Sequence, residues 1–401
     1  MRPRKISVLM LGAALLSACG TLIGIKDLQD GTGEGADSGG GGAEGGPFAE
    51  AGDETSTQVE GGREDGGAGA DASDASDADC GDTTQDKDNC GRCGHSCLGG
   101  DCAGGKCQPV AIAPGQGQIS DVVIDATYVY FSSISGDIVG RVAKTGGVVK
   151  TLASAPAVHV AKRVRVNATH VYWANDDFGP GTVSRCPITG CTGSPTVLAN
   201  PEDPTGLALD SAHVTWADSN SFVIKRKPLD GGPEALVASP SARPLAVATD
   251  PPFTFWIEDF TGSVYRTEPA DGGSVFIGVS GTAGRVITTD KEYVYWGAAQ
   301  DFGDPGHIAR ALRAGGPSEL VGEAHGEPRG IFVDDQRVYW AAWATATDGG
   351  VVSGGVYSCD KAGCSVGSTD VATNVDHPSG VAVDDAAIYF GTKTGVMKVA
   401  R

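Results

Sequence analysis

The chain has 401 residues, with 30 Lys and Arg against 50 Asp and Glu, which gives a formal charge of −20. This acidic balance argues against nucleic acid as the main partner, because neutralising phosphates requires clustered Lys and Arg. Glycine accounts for 61 residues, yet hydrophobic residues still reach 40%. We therefore expect one part of the chain to build a core and another part to lack one.

Residues 1–18 have the pattern of a secretory signal peptide. A basic start precedes an apolar run over 6–18, which is shorter than the about 20 residues that a membrane-spanning helix needs. The run ends in Leu16-Ser17-Ala18-Cys19, which resembles the lipobox of bacterial lipoproteins. The resemblance implies cleavage before Cys19, lipidation of its thiol and anchoring to a membrane. The alternative is an ordinary cleaved signal in which Cys19 is incidental.

The residues after Cys19 indicate which membrane. Position 20 is Gly, whereas an Asp there resembles an inner-membrane retention signal in Gram-negative lipoproteins. The start of the mature chain, residues 19–25, also resembles that of predicted myxobacterial lipoproteins. These resemblances imply a lipid-anchored protein of the cell envelope, on the periplasmic or cell-surface face of the outer membrane.

Residues 19–79 separate this anchor from the rest of the chain. Over 31–79 there are 13 acidic residues and a single base, Arg63, and Phe48 is the only aromatic residue before position 109. Such a segment has too little apolar surface to offset the entropy of ordering. We interpret 19–79 as a disordered acidic linker, with an acidic interaction tail as the alternative.

A small disulfide-rich module is predicted over 80–107. The chain has 11 cysteines, and setting Cys19 aside for lipid leaves an even number. Six of them crowd into this segment, which has no aromatic residue: Cys80, Cys90, Cys93, Cys97, Cys102 and Cys107. We expect three disulfides whose connectivity the spacing leaves open.

Two features of this module bear on its chemistry. The run 89–97 resembles a Cys-rich module that is frequent in myxobacterial secreted proteins. A zinc site is the alternative to disulfides, and the lack of a second Cys-x-x-Cys pair disfavours it. Its ligands would be Cys90, Cys93, His95 and Cys97.

The last four cysteines form two close pairs, Cys186 with Cys191 and Cys359 with Cys364. Each pair encloses four residues ending in Gly, a spacing that suits a bridge across a β-hairpin. With both bridges formed, no free thiol remains to act as a nucleophile.

From residue 109 onward, one pattern recurs seven times: an apolar run, an Asp or Asn, three variable residues and an aromatic triplet such as Val-Tyr-Trp. The Asp or Asn positions are Asp125, Asn167, Asp210, Asp250, Asp290, Asp334 and Asp384. Intervals of 40 to 50 residues indicate a repeat architecture. No repeat carries a helical apolar period, so helical solenoids are excluded.

Each repeat is predicted to form four short strands. An apolar strand and the aromatic triplet come first, and an Arg-bearing strand and a Gly-containing hairpin to a fourth strand follow. We expect each Arg to pair with the turn Asp of a neighbouring repeat. Radially stacked four-stranded sheets make a β-propeller. The final repeat supplies only three strands over 378–401, and 109–113 has the pattern of the missing fourth.

The predicted fold is therefore all-β: a seven-bladed β-propeller of four-stranded antiparallel blades over 109–401, closed by an N-terminal strand on the last blade. The triplets Val171-Tyr172-Trp173 and Val338-Tyr339-Trp340 resemble the YWTD repeats of low-density-lipoprotein-receptor propellers. Those propellers usually have six blades, and Trp173 lacks the Thr-Asp that follows in them. The resemblance thus implies the fold and no particular ligand.

Candidate ligand-binding residues lie where each first strand begins, at the face of a propeller near its central channel. The ring comprises Asp121, Arg163, Asp203, Arg243, Arg285, Arg329 and His377. Such mixed charges suit a polar or anionic ligand, with solvation of the channel mouth as the alternative. Trp343 stands outside the repeat register on an enlarged loop over 341–355, where it suits a sugar or protein contact or simple packing.

Acidic residues follow several second strands, namely Asp176, Asp177, Asp218, Glu258, Asp259, Asp301 and Asp304. Calcium favours such oxygen ligands, but no Asp-x-Asp-x-Asp loop is present. We expect no cofactor, with calcium as the candidate if there is one.

No Ser, Cys or carboxylate partners a histidine at a recognisable catalytic spacing, and no P-loop is present. We expect a monomeric binding protein for a protein or glycan partner, without catalysis. The alternative is a propeller enzyme, such as a lyase or lactonase, with a metal at the central channel and His377 as its best candidate residue.

Overall fold

The computed structural model describes residues 80–401 except 177–178, 269–272, 282, 300–304, 345–352 and 365–366. The predicted signal peptide (1–18), the lipidation of Cys19 and the predicted linker (19–79) lie outside the described residues. Nothing in the described part of the chain is a helix of the length and hydrophobicity that a bilayer crossing requires.

Regular structure in the described ranges consists of 30 β-strands. They are β1 (Cys102–Ala103), β2 (Lys106–Cys107), β3 (Val110–Pro114), β4 (Ile119–Ile124), β5 (Tyr128–Ser133), β6 (Ile138–Ala143), β7 (Lys150–Ser154), β8 (Ala161–Val166), β9 (His170–Asn175), β10 (Thr182–Pro187), β11 (Thr196–Ala199), β12 (Pro204–Leu209), β13 (His213–Asp218), β14 (Val223–Pro228), β15 (Ala235–Ala238), β16 (Pro244–Asp250), β17 (Phe253–Glu258), β18 (Ser263–Thr267), β19 (Ser274–Val279), β20 (Gly284–Thr289), β21 (Tyr293–Ala298), β22 (His307–Leu312), β23 (Glu319–Glu323), β24 (Glu327–Val333), β25 (Arg337–Trp343), β26 (Gly354–Asp360), β27 (Thr369–Val375), β28 (Ser379–Val383), β29 (Ala387–Gly391) and β30 (Gly395–Ala400).

Twenty-eight of these strands form seven antiparallel sheets of four strands each. Blades 1 to 6 take their strands in chain order, from β4–β7 in blade 1 to β24–β27 in blade 6. Blade 7 has the order β28-β29-β30-β3, so its outer strand comes from the start of the propeller. The seven-bladed fold predicted from the sequence, including its closure, is confirmed.

The closing strand β3 pairs with β30 from Val110 opposite Lys398 to Pro114 opposite Gly395. A second contact joins blades 7 and 1: the hydroxyl of Ser379 donates to the carbonyl oxygen of Ile119. Joining the two ends of the repeat array removes the exposed sheet edges that an open array would leave.

The recurring Asp organises the turn between the first and second strands. In blade 1, Oδ1 of Asp125 accepts the amides of Thr127 and Tyr128, both at 2.7 Å, and Oδ2 accepts the Tyr130 hydroxyl at 2.7 Å. The same bond from a Tyr hydroxyl joins Tyr295 to Asp290 and Tyr389 to Asp384, both at 3.2 Å. This Asx turn fixes the five-residue spacing of the sequence pattern.

Aromatic side chains of the second strands fill the space between blades. Five tryptophans are at most 1% exposed: Trp173, Trp216, Trp256, Trp296 and Trp340. Each second strand has a neighbouring blade on both faces, which explains why its sequence is apolar without alternation.

The third-strand arginines do not make the predicted pairs with neighbouring turns. Arg141 lies 4.0 Å above the ring of Tyr128, and Arg310 lies 4.3 Å above Tyr293, each within its own blade. A different Lys or Arg pairs with the turn Asp of the preceding blade. It lies about three residues after the position of the third-strand Arg, just beyond the end of the strand at the edge of the blade. These pairs are Lys144–Asp384, Arg313–Asp250, Lys361–Asp290 and Arg401–Asp334.

The disulfide-rich module before the propeller is confirmed. Its bridges are Cys80–Cys93, Cys90–Cys102 and Cys97–Cys107. The buried sulfurs of Cys90 and Cys97 belong to one hydrophobic cluster with Val383 and Ile388 of blade 7. The module therefore packs on the propeller.

The zinc alternative does not fit this bonding. Among the described residues, the one group of three candidate metal ligands within reach of one another is Cys90, Cys97 and Cys102. All three sulfurs are in disulfides, and a metal needs thiolates. His95 instead faces two carbonyl oxygens, those of Cys90 and Arg401.

Two further bridges, Cys186–Cys191 and Cys359–Cys364, clip hairpins after the third strands of blades 2 and 6. Both hairpins carry a Gly at positive φ, Gly190 and Gly363, directly before the second cysteine.

Candidate functional site

The first strand of every blade carries a β-bulge near its start. In β8, Ala161 and Arg163 pair with successive residues of β9, and Lys162 lies outside the ladder. A bulge places neighbouring side chains on one side of a strand that would otherwise alternate. Lys162 and Arg163 accordingly line the same cavity.

That cavity, the upper chamber, has a volume of about 340 Å³ at one mouth of the channel. Its polar lining includes Lys162, Arg163, Arg285 and Arg329, and Trp343 forms part of its wall. A second cavity of about 220 Å³, the lower chamber, follows along the channel and is lined by Asp121 and Arg165. Arg163 lines both chambers and so lies at their junction.

An arc of ion pairs runs around the upper chamber from blade 2. Lys162 Nζ lies 2.7 Å from Asp176 and 3.1 Å from Asp203. Arg243 continues the arc, 3.4 Å from Asp203 and 3.7 Å from Asp259. The carboxylate of Asp203 is thus shared between cations of blades 2 and 4.

The arc ends in blade 6. Arg285 lies 3.9 Å from Asp259, and its Nε is 2.8 Å from Glu327 without being aligned for a hydrogen bond. Arg329 donates to Glu327 at 2.6 Å. Burial lowers the pKa of Arg329; Glu327 opposes this shift and Arg285 adds to it. The four cations of the arc have four carboxylate partners.

Arg163 differs from these cations. No carboxylate lies within ion-pair distance of its side chain, and no hydrogen bond reaches that side chain among the described residues. Oδ2 of Asp121 instead accepts from Arg165 at 2.7 Å. Burial lowers the pKa of Arg163, Asp121 opposes the shift, and Arg165 and Arg329 add to it. Arg163 is therefore a half-buried cation without an ion-pair partner among the described residues.

Trp343 is the last residue of β25 and lies at the rim of the upper chamber. The Arg329 guanidinium stands 3.9 Å above its ring, and His377 meets it edge-on at 4.9 Å. His377 Nδ1 in turn contacts Asp376. Most of the enlarged loop predicted to carry Trp343, residues 345–352, lies outside the described residues.

The structure brings four predicted site residues into one cavity: Arg163, Arg285, Arg329 and Trp343. Asp203 and Arg243 belong to the ion-pair arc, and His377 packs behind Trp343. Lys162 and Glu327 were not among the predicted site residues. Lys162 directly precedes Arg163 in the sequence, but side chains alternate along a regular strand, so a strand without a bulge would point Lys162 away from the channel.

The acidic residues considered for calcium anchor loops where they are described. Asp218 accepts the amides of Glu202 and Asp203, both at 3.0 Å, and Glu258 accepts the amide of Ser241 at 3.0 Å. Asp259 belongs to the ion-pair arc. Asp177, Asp301 and Asp304 lie outside the described residues, so calcium binding stays a prediction.

No protein-family model matches the sequence, and no curated protein matches it. Solved structures do match. A streptogramin B lyase is 12% identical with a TM-score of 0.58, over 73% of this chain and 96% of that chain. Virginiamycin B lyase from Staphylococcus aureus is 12% identical with a TM-score of 0.58, over 73% and 97%. U3-55K is 10% identical with a TM-score of 0.57, over 73% and 98%. At these identities the likeness shows the propeller fold alone.

Proposed function

We propose that this protein is a lipid-anchored binding protein of the cell envelope, and that its propeller takes an anionic group of a protein or glycan partner in the upper chamber. The observation that carries the proposal is Arg163, a half-buried cation at the floor of that chamber with no ion-pair partner among the described residues.

The energetics favour an anionic ligand. Removing a guanidinium from water, as a bound ligand would, is costly unless the ligand pairs a negative charge with it. A ligand carboxylate or sulfate supplies that charge, and it can accept two parallel N–H groups from Arg163. The surrounding ion pairs hold the other cations in place, so the chamber needs little reorganisation on binding.

Calorimetry tests this part of the proposal. The full chain in detergent micelles is titrated with carboxylated and sulfated oligosaccharides and with peptides. We expect Arg163→Gln to weaken binding by about tenfold or more, the loss of one charge-assisted contact. Lys150→Gln removes the same charge from the exposed outer strand of blade 1 and is the matched control. Equal loss in both variants would show a general charge effect and reject the site.

The anchoring part rests on the lipobox-like Leu16-Ser17-Ala18-Cys19. Mass spectrometry of the N-terminal peptide from envelope fractions should find cleavage before Cys19 and acyl chains on it. Cys19→Ala should release the protein from the membrane fraction. An unmodified Cys19 in membrane-bound protein would reject lipid anchoring. Protease treatment of intact cells then distinguishes the cell-surface face from the periplasmic face.

A propeller lyase is the second candidate, because His377 contacts the Asp376 carboxylate and packs against Trp343, which forms part of the chamber wall. An imidazole oriented by a carboxylate is suited to general base catalysis. The test is incubation with a streptogramin B, the compound after which the similar lyase is named, followed by mass spectrometry. Cleavage that His377→Gln abolishes would favour the enzyme over the binding protein.

A further inference from the structure

The hydroxyl groups at the upper chamber are already engaged within the protein. Ser120 bonds the hydroxyl of Ser132 at 2.8 Å and also donates to the carbonyl of Ala161. Thr205 bonds Ser219 at 2.7 Å, and the Ser379 hydroxyl donates to the Ile119 carbonyl. A sugar needs several free polar partners, because each unpaired hydroxyl that it buries is costly. These three side chains do not offer them.

Apart from Gln118, the remaining wall of the chamber is largely apolar. Ile134, Val160 and Leu245 are half-buried and face the cavity, together with Val286 and Pro328. These side chains come from blades 1, 2, 4, 5 and 6, so they surround the cavity on several sides. Apolar walls with a few directed polar groups are typical of sites for ligands with an apolar body.

All but one of the cations at the two chambers have an ion-pair partner. Lys162, Arg243, Arg285 and Arg329 are balanced by Asp176, Asp203, Asp259 and Glu327 in the arc, and Arg165 is balanced by Asp121. Arg163 is the one of these cations without an ion pair. A monoanion would pair with it, whereas a second negative charge on the ligand would face the arc's carboxylates without a free cation.

Trp343 adds an aromatic side chain to the wall of the chamber. Its indole Nε1 is buried and has no acceptor among the described residues, as is also the case for Trp173, Trp216, Trp256 and Trp296, so it marks no polar contact for a ligand. The ligand is small, or is the end of a longer molecule, because a volume of about 340 Å³ is near the lower limit for small-molecule sites.

We infer that the upper chamber binds a single carboxylate carried on an apolar body, with the carboxylate at Arg163 and the apolar part against Leu245, Ile134 and Val160. This inference rests on the anion site of the proposed function and specifies the chemistry of its ligand. A fatty acid and a peptide C-terminus with an apolar last side chain share this chemistry, whereas a uronic acid sugar does not.

Four probes test the inference by calorimetry on the full chain. Octanoate and N-acetyl-leucine are carboxylates with apolar bodies, N-acetyl-leucinamide has the body without the charge, and glucuronate has the charge on a polar body. We expect one or both of the first two to bind at least about tenfold more tightly than the last two. Tighter binding of octanoate would indicate a fatty acid as the natural ligand, and tighter binding of N-acetyl-leucine would indicate a peptide C-terminus.

Substitutions at Arg163 and Leu245 locate the ligand, with Lys150→Gln as the control. Arg163→Gln should weaken the apolar acids by about tenfold or more, Arg163→Lys should retain part of the affinity, and Lys150→Gln should retain all of it. Leu245→Asn should weaken octanoate but leave acetate, which has almost no apolar body, unchanged. Thermal unfolding of each variant shows whether it is folded.

The outcomes separate the inference from the proposed function. Tight binding of glucuronate without binding of the apolar acids overturns the inference and leaves an anion site. Failure of all carboxylates and sulfates to bind overturns both. Binding of the apolar acids that Arg163→Gln and Leu245→Asn leave unchanged in folded protein places them outside the chamber and overturns the inference.

Discussion

The hydroxyl of Tyr130 donates to Oδ2 of Asp125, five residues earlier, at 2.7 Å. The bond ties the buried second strand of blade 1 to the turn that precedes it. The other oxygen of the same carboxylate holds the turn itself through two backbone amides. One side chain therefore sets both the turn and the position of the aromatic ring in the core.

Tyr130→Phe should destabilise the propeller by about 1–2 kcal/mol, because it leaves a half-buried carboxylate without one of its donors. Urea unfolding measures the change. Tyr265→Phe is the matched control, since the Tyr265 ring stacks on Trp256 and no hydrogen bond of its hydroxyl is found among the described residues. A loss in the control as large as in Tyr130→Phe would contradict the role given to the bond.

Stability should fall at acidic pH through the turn carboxylates. Burial alone would raise the pKa of Asp125, but the amides of Tyr128 and Thr127 and the Tyr130 hydroxyl bring it below the ordinary 3.8. The pKa values of Asp290, Asp334 and Asp384 are lowered in the same way. A lowered pKa stabilises the fold above the ordinary value. The urea midpoint should therefore drop as the pH falls below 3.8; a constant midpoint down to pH of about 2 would contradict this linkage.

Stability should also fall at alkaline pH, through the tyrosines whose hydroxyls donate to the turn carboxylates. Burial, and then the bond to Asp125, raise the pKa of Tyr130 from 10.0 to about 12. A raised pKa stabilises the fold below the ordinary value, so stability is lost as the pH rises from 10 towards 12. Absorbance of tyrosinate should lag behind that of a free phenol in this range. Tyr130→Phe should reduce the alkaline loss, and an unchanged loss would assign it to other groups.

Gly395→Ala should weaken the closure of the ring. Gly395 has φ of +155°, and a Cβ there would lie 2.1 Å from the carbonyl oxygen of Ala113 in β3. Gly147 also has positive φ, +122°, but nothing lies within 4 Å of its Cβ position. Both substitutions incur backbone strain of about 1 kcal/mol, and only Gly395→Ala displaces β3.

We expect Gly395→Ala to cost about 1–3 kcal/mol more than Gly147→Ala in urea unfolding. Limited proteolysis should also cleave near β3 faster in Gly395→Ala. Equal stability of the two variants would mean that β30 adjusts without releasing β3, and that this contact does not hold the closure.

Reduction should separate the module from the propeller. The core of 80–107 is made of its bridges, and Cys90 and Cys97 are buried at 0% and 1% exposure, so reduced 80–107 should unfold and become sensitive to protease. In the propeller, replacing Cys186 and Cys191 together by Ser should cost only about 2 kcal/mol, since the closed loop is short. Protection of 80–107 in full reductant would contradict this account.

The fold was predictable because its determinants are local. Asp125, Tyr130 and their counterparts lie within six residues of one another, so each blade shows its turn and its buried strand in the sequence. Closure was predictable from the count of strands in the last repeat. The partners of the third-strand arginines were predicted wrongly, since the distance from Arg141 to the neighbouring turn depends on the splay between blades, which sequence spacing does not contain.

The site was only partly predictable for a different reason. Arg163, Arg285 and Arg329 were found because they begin first strands, and the structure places all three at the upper chamber. The bulge at Lys162 is a departure from alternation, and no residue type marks it: the bulged positions are Ser120, Lys162, Thr205, Leu245, Arg285, Arg329 and Gly380. Which carboxylate serves which cation then depends on contacts between blades.

The attachment of β3 to β30 also determines how the molecule would respond to a mechanical load. For a chain held from its N-terminal side, tension enters through 80–107, where the crossed bridges Cys80–Cys93, Cys90–Cys102 and Cys97–Cys107 prevent the loops from extending. Force therefore reaches blade 7 by two routes, through the contacts of 80–107 with that blade and through the seam between β3 and β30. The strand that completes the circle is thus also one that carries the load.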